Sequence, residues 1–457
     1  KRDDDIPLYV ALADRLAEDV VAGRLAEGTR LPTHRDLADK LGVTIGTISR
    51  AYAEAARRGL VSGEVGRGTF VRTRSAMSEM PLRIHREPGV IDLSQNHPPA
   101  PMDPGLRKEI EAALLALARR PDMGGLFEYP KDGGRPEDRE AGASWIGRVG
   151  LPAQPDDVLV SAGSQHGITT VLATLLAPGD LLLTEDLTYA GLKSVAALLH
   201  LRLRGLPMDR EGLLPDAFEQ ACRTGSPRAL YLVPTLHNPT VATLSEERRK
   251  AIAEIARRHD VALVEDDIHA LLPETRPRPL AAYAPERTYY LMSTSKTLAA
   301  GLRVAYVLAP PGMFTRLAAS LRATAWGASP VMAALATEWI GNETADALVA
   351  DRRRCARERQ EKAKAALPGV SFAGDPASYY IWLHLPEPWR SDSFAADLRA
   401  RGLLVTPAET FLVGRGPVPH AARVCLCAAP SEAALDRGLA VMAEALASGR
   451  ERIGAVV

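Results

Sequence analysis

Between residues 158 and 308 the chain repeats one pattern: a short apolar run, then a longer amphipathic stretch, then another apolar run. The runs fall at 158–161, 181–185, 230–234, 262–266, 289–293 and 304–308. Each has the length of a strand buried on both faces, and the stretches between them carry helical spacing. Strands alternating with helices in this way close as a largely parallel sheet covered on both sides, so the pattern predicts an α/β fold. The chain has 457 residues, too many for one ordinary core, and two or three domains are expected.

The first seventy residues follow other rules. Leu8, Leu12, Leu16 and Val20 recur at helical spacing and the pattern stops near Gly23. A second helix is predicted from Thr33, a capping residue followed by Asp36 in the first turn, and it ends at Leu41-Gly42. Thr44 caps a third helix that runs to Arg58. Residues 60–71 then alternate around Gly66-Arg67-Gly68, which predicts a β-hairpin. Helix, helix, tight turn, helix and hairpin make a winged helix-turn-helix. Prolines at 81, 88, 98, 99, 101 and 104 break up the next segment, a linker that becomes ordered on entering the second domain. Beyond residue 343 a long charged helix containing Asp351-Arg-Arg-Arg354 opens a smaller α+β lobe. The predicted division is a winged helix at 1–74, a linker at 75–104, a large lobe at 105–342 and a small lobe at 343–457.

Charge is informative only locally. The whole chain balances 56 Lys and Arg against 56 Asp and Glu, so net charge gives no argument for nucleic acid or membrane. From Arg30 to Arg74, however, nine Lys and Arg face four acids, and nine minus four leaves +5. The four cysteines, Cys222, Cys355, Cys425 and Cys427, form neither a disulfide framework nor a zinc pattern, and no metal site is expected. They point to a reducing cytoplasm. No apolar run reaches the roughly 20 residues of a membrane span, and the first residues do not read as a signal peptide.

A capped helix offers its first residues to base edges in the major groove of double-stranded DNA. In Thr44-Ile-Gly-Thr-Ile-Ser-Arg50 the candidates for groove and phosphate contacts are Thr44, Thr47 and Arg50. Arg35 opens the preceding helix within reach of a phosphate, and Arg67 at the hairpin tip is placed to enter a minor groove. Residues 7–71, including Leu31-Pro-Thr-His-Arg-Asp-Leu-Ala38 and Arg50-Ala-Tyr-Ala-Glu54, resemble the winged-helix domain of the GntR family. Ile45 stands where that family often carries an arginine, so base readout by that arginine does not transfer.

Ser293-Thr-Ser-Lys296-Thr-Leu-Ala-Ala-Gly-Leu-Arg303 places one amine among hydroxyls, with a guanidinium seven residues on. A lysine that forms an imine with a phosphorylated carbonyl compound needs such company, and pyridoxal 5'-phosphate (PLP) fits. Ser161-Ala-Gly-Ser-Gln-His-Gly167 follows a strand and opens a helix, so its backbone suits a phosphate dianion. Glu265-Asp-Asp-Ile-His269 ends a buried strand with a carboxylate suited to a pyridinium nitrogen. His237-Asn-Pro239 brings an amide to another strand end, and Tyr189 is placed to stack on a ring.

Residues 91–441 resemble the fold-type I aminotransferases, PLP enzymes with a large and a small lobe. That resemblance implies Lys296 as the Schiff-base lysine, Asp266 at the pyridinium, Asn238 at the phenolate and Tyr189 over the ring. It assigns the phosphate to Gly163, Ser164, Gln165, Ser293, Ser295 and Arg303, and an effector carboxylate to Arg423. Tyr129, in Tyr129-Pro-Lys-Asp-Gly-Gly134, resembles the residue that reaches into a neighbouring subunit. Two departures stand out. His269 replaces a tyrosine that usually partners the phenolate, and its charge is expected to vary near neutral pH. His166 replaces a glutamine or alanine.

Winged helix and aminotransferase-like domain together resemble the MocR subfamily of bacterial regulators. The resemblance implies a homodimer that binds promoter DNA and senses PLP or a small amino compound that condenses with it. Three readings follow: a regulator that senses through its PLP site, a working aminotransferase with an accessory DNA-binding domain, and a regulator whose second domain is only a scaffold. Lys296, Asp266 and Arg303 together argue against the scaffold. The winged helix argues against catalysis alone and favours the regulator.

Overall fold

The computed structural model describes residues 7–21, 24–25, 29–57, 60–64, 68–71, 89–98, 104–342, 344–414 and 416–454. The chain divides into two compact units, Lys1–Pro81 and Leu82–Val457.

Among the described residues the first unit holds three helices, α1 (Leu8–Val21), α2 (His34–Leu41) and α3 (Ile45–Arg57), and a hairpin of β1 (Val61–Glu64) and β2 (Gly68–Val71). Capping chemistry sets the breaks between the helices. Thr33 Oγ1 accepts the Asp36 N–H at 3.2 Å, and Gly42 ends α2 at φ 65°, where its N–H bonds the Ala38 carbonyl. Thr44 Oγ1 then accepts the Thr47 N–H at 3.2 Å and starts α3. The apolar faces meet in one core of Leu31, Ala38, Ile48, Tyr52, Ala55, Val61 and Val71, with Leu12, Leu16 and Val20 packed on it. Each fully buried aliphatic side chain there contributes about 1.5–3 kcal/mol, which fixes three short helices that would be marginal alone. The expected winged helix is present. Arg67 lies outside the described residues.

In the second unit seven strands form one sheet: β4 (Val158–Ser161), β5 (Leu181–Glu185), β6 (Arg202–Leu206), β9 (Pro227–Leu232), β10 (Ala262–Asp266), β11 (Thr288–Ser293) and β12 (Ala305–Leu308). A two-strand hairpin, β7 (Met208–Asp209) and β8 (Gly212–Leu213), hangs between β6 and β9. The order across the sheet is β4-β12-β11-β10-β9-β5-β6, parallel except for β12, which runs against both β4 and β11. Strand β9 starts and ends earlier than the 230–234 run, and β6 has no counterpart among the predicted strands. Its pattern explains why: Arg202 and Arg204 alternate outward on this edge strand, so no apolar run marks it.

The small lobe has a sheet of order β13-β14-β17-β16, made of β13 (Phe372–Ala373), β14 (Tyr380–His384), β16 (Thr406–Pro407) and β17 (Ala421–Cys425). A separate pair joins β3 (Ile91–Asp92) in parallel to β15 (Leu403–Leu404). Residues 89–98 therefore belong to the second unit, where the sequence suggested linker. Leu93 is fully buried in the small-lobe core with Phe394, Leu403, Val424 and Met442, and this apolar anchor outweighs the prolines around it.

Among the described residues no helix is long and apolar enough to cross a membrane, and no cluster of His, Cys, Asp or Glu could hold a metal ion.

Candidate functional site

Because β4, β5, β9, β10 and β11 are parallel, their carboxyl ends share one edge, the place where open α/β sheets bind ligands. Asp266 ends β10. Lys296 follows β11 by three residues, Gly163 follows β4 by two, Asn238 follows β9 and Tyr189 follows β5. The antiparallel β12 delivers Arg303 to the same edge, since Ala305 pairs with both Ser161 and Ser293.

Asp266 is buried and half satisfied. Its Oδ2 accepts the Tyr231 hydroxyl at 2.6 Å, while Oδ1 has no partner among the described residues. Burial raises its pKa to about 7, eased by the Tyr231 hydrogen bond. Neighbouring Glu265 is committed elsewhere, accepting the N–H groups of Leu280 and Ala281 at 2.7 and 2.8 Å. Tyr231 was not singled out from sequence. The signal was there: a tyrosine inside a buried strand needs a partner for its hydroxyl.

Burial also lowers the Lys296 ammonium to about 8, so far more of this amine is neutral near physiological pH than of an ordinary lysine, though most still carries its proton. Its Nζ donates to the Asn96 carbonyl, and the Tyr379 hydroxyl donates to the Lys296 carbonyl.

Residues that the sequence assigns to a phosphate assemble around Gly163. Its φ is 84°, and a Cβ there would lie 2.6 Å from Arg303 Nη2, so only glycine lets the guanidinium come this close. The helix Ser164–Leu175 starts at this point, leaving first-turn N–H groups without carbonyl partners inside the helix. Ser293 Oγ donates to Ser295 Oγ at 3.0 Å and accepts the Ser295 N–H at 3.1 Å. The Gln165 side chain, as distinct from its backbone N–H, is engaged beside this cradle. It accepts the Tyr189 hydroxyl at 3.1 Å and donates to the Gly191 carbonyl at 2.9 Å, so it fixes the ring that would cover a ligand. His166 is structural: Nδ1 accepts the Ala162 N–H at 3.1 Å and Nε2 meets the Thr324 hydroxyl at 2.6 Å.

Arg423, on β17, is only 7% exposed. Nη1 donates to Asn238 Oδ1 at 2.7 Å, and Nη2 to the Ser94 carbonyl at 2.6 Å and to Thr406 Oγ1 at 3.4 Å. The Asn238 carbonyl oxygen is thus taken, and its amide NH2 remains to meet a phenolic oxygen. Ser94 and Asn96 join the pocket from the stretch expected to be linker, and nothing in their own spacing marks them.

His269 differs from expectation in its charge. Burial, aided by Lys296 and Arg423, lowers its pKa to about 3, so the imidazole stays neutral across the physiological range. Its Nε2 lies 3.4 Å from Asn96 Nδ2 and its ring meets the edge of Tyr380. Tyr129 stands apart from these residues, 82% exposed and against the Trp326 ring at 4.8 Å.

In the first unit Arg35, Thr44 and Arg50 are exposed and Thr47 is half-buried. The Thr44 and Thr47 hydroxyls bond each other at 2.9 Å, so both serve the cap of α3.

An unpartnered carboxylate oxygen, a desolvated amine and a glycine-cleared guanidinium on one sheet edge fit PLP: Asp266 for the ring nitrogen, Lys296 for the aldehyde, Gly163 and Arg303 for the phosphate. Residues 88–442 match the family "Aminotransferase class I and II", and residues 8–71 match "Bacterial regulatory proteins, gntR family". The multiple substrate aminotransferase of Thermococcus profundus superposes with a TM-score of 0.71 at 24% identity, over 80% of this chain and 93% of that one. The fold is therefore that of the aminotransferases, and PLP is its cofactor. The uncharacterized HTH-type transcriptional regulator YdeF of Bacillus subtilis (strain 168) is 31% identical over 95% of this chain and 94% of its own length. The probable rhizopine catabolism regulatory protein MocR of Rhizobium meliloti is 27% identical over 68% of this chain and 67% of its own. The chain belongs to the MocR-like subfamily of GntR-type transcriptional regulators.

Proposed function

We propose that this regulator works as a cytoplasmic homodimer that holds promoter DNA through α3 and its hairpin and senses a small amino compound carrying an anionic group. One observation carries the choice of effector. The Lys296 amine and the buried Arg423 guanidinium both bond to one three-residue stretch, through the carbonyls of Asn96 and Ser94. The two groups are therefore close enough for one small molecule to present its amine to the first site and its anion to the second. Bound PLP supplies an aldehyde that condenses reversibly with primary amines. Arg423, oriented by Asn238, supplies a fixed fork for a carboxylate or similar anion. Arg35 and Arg50 supply phosphate contacts, Thr44 and Thr47 cap the start of α3 beside them, and Arg67, outside the described residues, completes the DNA set.

Sustained transamination is no part of this reading. A neutral, buried imidazole at 269 replaces a phenol, so later proton transfers lack one acidic partner. Dimerisation is supported by the exposed aromatic side chains of Phe127, Tyr129 and Trp326, 76%, 82% and 45% accessible in one chain. Titrating the PLP-loaded protein with amino compounds, while following cofactor absorbance and promoter binding together, tests the proposal. Compounds with both amine and anion should change both signals. Robust multiple turnover with a keto-acid acceptor and unchanged promoter binding would instead favour an aminotransferase.

A further inference from the structure

Two of the four cysteines meet. Cys355 lies on the helix Thr344–Ala366, and Cys427 on the single turn Leu426–Ala428 that follows β17. Cys355 and Arg359, four residues apart, share one face of that helix, and this face packs on the turn. Arg359 Nη1 donates to the carbonyls of Leu426 and Ala429 at 2.8 and 3.2 Å, and Ala356 shares a buried cluster with Cys427. That packing sets Cys355 against the turn that carries Cys427, with Arg359 holding the carbonyls on either side of it. Cys427 is buried, whereas Cys355 is partly exposed. Thiol–disulfide exchange needs that asymmetry: one thiol that solvent can reach and a second waiting behind it. Electrostatics agrees. The neighbouring Cys427 side chain holds the Cys355 thiol below its usual range, with help from Arg359, while burial pushes Cys427 up.

We propose that Cys355 and Cys427 are a redox modification site, which a low-molecular-weight disulfide of the glutathione class closes into an intramolecular disulfide. In the first step the Cys355 thiolate attacks one sulfur of RS–SR, forming Cys355–S–S–R and expelling RS⁻, which takes up a proton. In the second, Cys427 attacks the Cys355 sulfur, and its proton passes to the departing thiolate. The bond to R breaks, and a second RS⁻ leaves and is protonated. Two protein thiols are oxidised and one disulfide is reduced to two thiols. The new bond would tie the helix to the strand end that carries Arg423. Cys427 also donates its N–H to the Tyr379 carbonyl at 3.2 Å, and the Tyr379 hydroxyl holds the Lys296 carbonyl, so the link forms in the wall behind the cofactor pocket.

The test uses the full chain with oxidised glutathione, non-reducing peptide mapping and intact mass. The expected result is a monomer lighter by about 2 Da, with a peptide joining Cys355 to Cys427 that dithiothreitol reverses. Cys427→Ala should stop at a stable glutathione adduct on Cys355, and Cys222→Ser should behave as wild type. A wild-type chain that keeps both thiols, or that cross-links only between chains, overturns the proposal without any variant having to fold. Because the readout is mass, its outcome is independent of whether an amino compound is the effector.

Discussion

Arg303 rests against the bare Cα of Gly163, with no room for a Cβ between the guanidinium and the backbone at φ 84°. This contact joins two segments 140 residues apart into one cradle, which the proposed reading gives to the phosphate. Gly163→Ala should displace Arg303 and strain the backbone by about 1–3 kcal/mol, weakening PLP binding by about tenfold or more. Cofactor titration followed by absorbance or fluorescence checks it. Unchanged affinity would remove Gly163 and Arg303 from the phosphate site.

Borohydride should fix the cofactor to Lys296 and to no other lysine, as peptide mass mapping would show. The pH dependence follows from the amine at about 8. Its folded value lies below the ordinary 10.5, so between about 8 and 10.5 the unfolded chain binds more protons than the folded one. The cofactor-free protein therefore gains stability as pH rises through that window, relative to Lys296→Met, by at most about 3 kcal/mol. Loading with PLP should likewise speed up with pH and level off above about 8, once the amine is neutral. A loading rate flat from pH 7 to 9 would contradict the burial argument.

Asp266 has the opposite sign. Its folded pKa, about 7, lies above the ordinary carboxylate value of 3.8, so the folded state binds more protons between them and loses stability as pH rises through that range. Without cofactor, Asp266→Asn should be more stable than wild type at pH 8 by on the order of 2–4 kcal/mol, and nearly equal to it below the acid end of the range. With PLP the order should reverse, because the wild-type carboxylate then pairs with the ring nitrogen. Thermal melts at two pH values, with and without PLP, read both effects.

Sequence and structure diverge where a residue's partner comes from far along the chain. Strands β4, β5, β10 and β11 announced themselves as apolar runs, and the residues at their carboxyl ends were legible because parallel strands bring those ends together. The direction of β12 was not legible, since apolar runs carry no polarity. Strand β6 hid behind Arg202 and Arg204. Ser94 and Asn96 hid in a proline-rich stretch, and the buried Leu93, the pairing of Ile91 with Leu403 and the bonds from Arg423 and Lys296 draw them into the pocket. The neutrality of His269 also needed the structure, because composition says nothing of how deeply an imidazole is buried.

Arg423 offers the sharpest separation of sensing from cofactor binding. Arg423→Ala should abolish the response to anion-bearing amines while Lys296 still holds PLP. It also strips Asn238 and the Ser94 carbonyl of their donor, which costs about 1–3 kcal/mol for each buried acceptor left unmet. Arg423→Lys keeps a charge without the fork and should retain part of the response. A full response in either variant would move the anion site elsewhere.

DNA binding supplies the last test. The basic stretch from Arg30 to Arg74 must displace counterions, so promoter affinity should fall steeply with salt, in proportion to the phosphates contacted. Arg50 is exposed on α3, so Arg50→Ala should weaken binding evenly across promoter variants and lower the salt slope by about one unit if it meets a phosphate. Losing Arg67 should instead cost about 1–3 kcal/mol and relax preference at one position, the mark of groove reading. Two half-sites in a footprint, one for each protomer, are expected of a dimer. Anisotropy at several salt concentrations, with footprinting of the same promoter, measures all three. Stable binding of a monomer to a single half-site would overturn the dimeric reading, because each winged helix would then hold its site unaided.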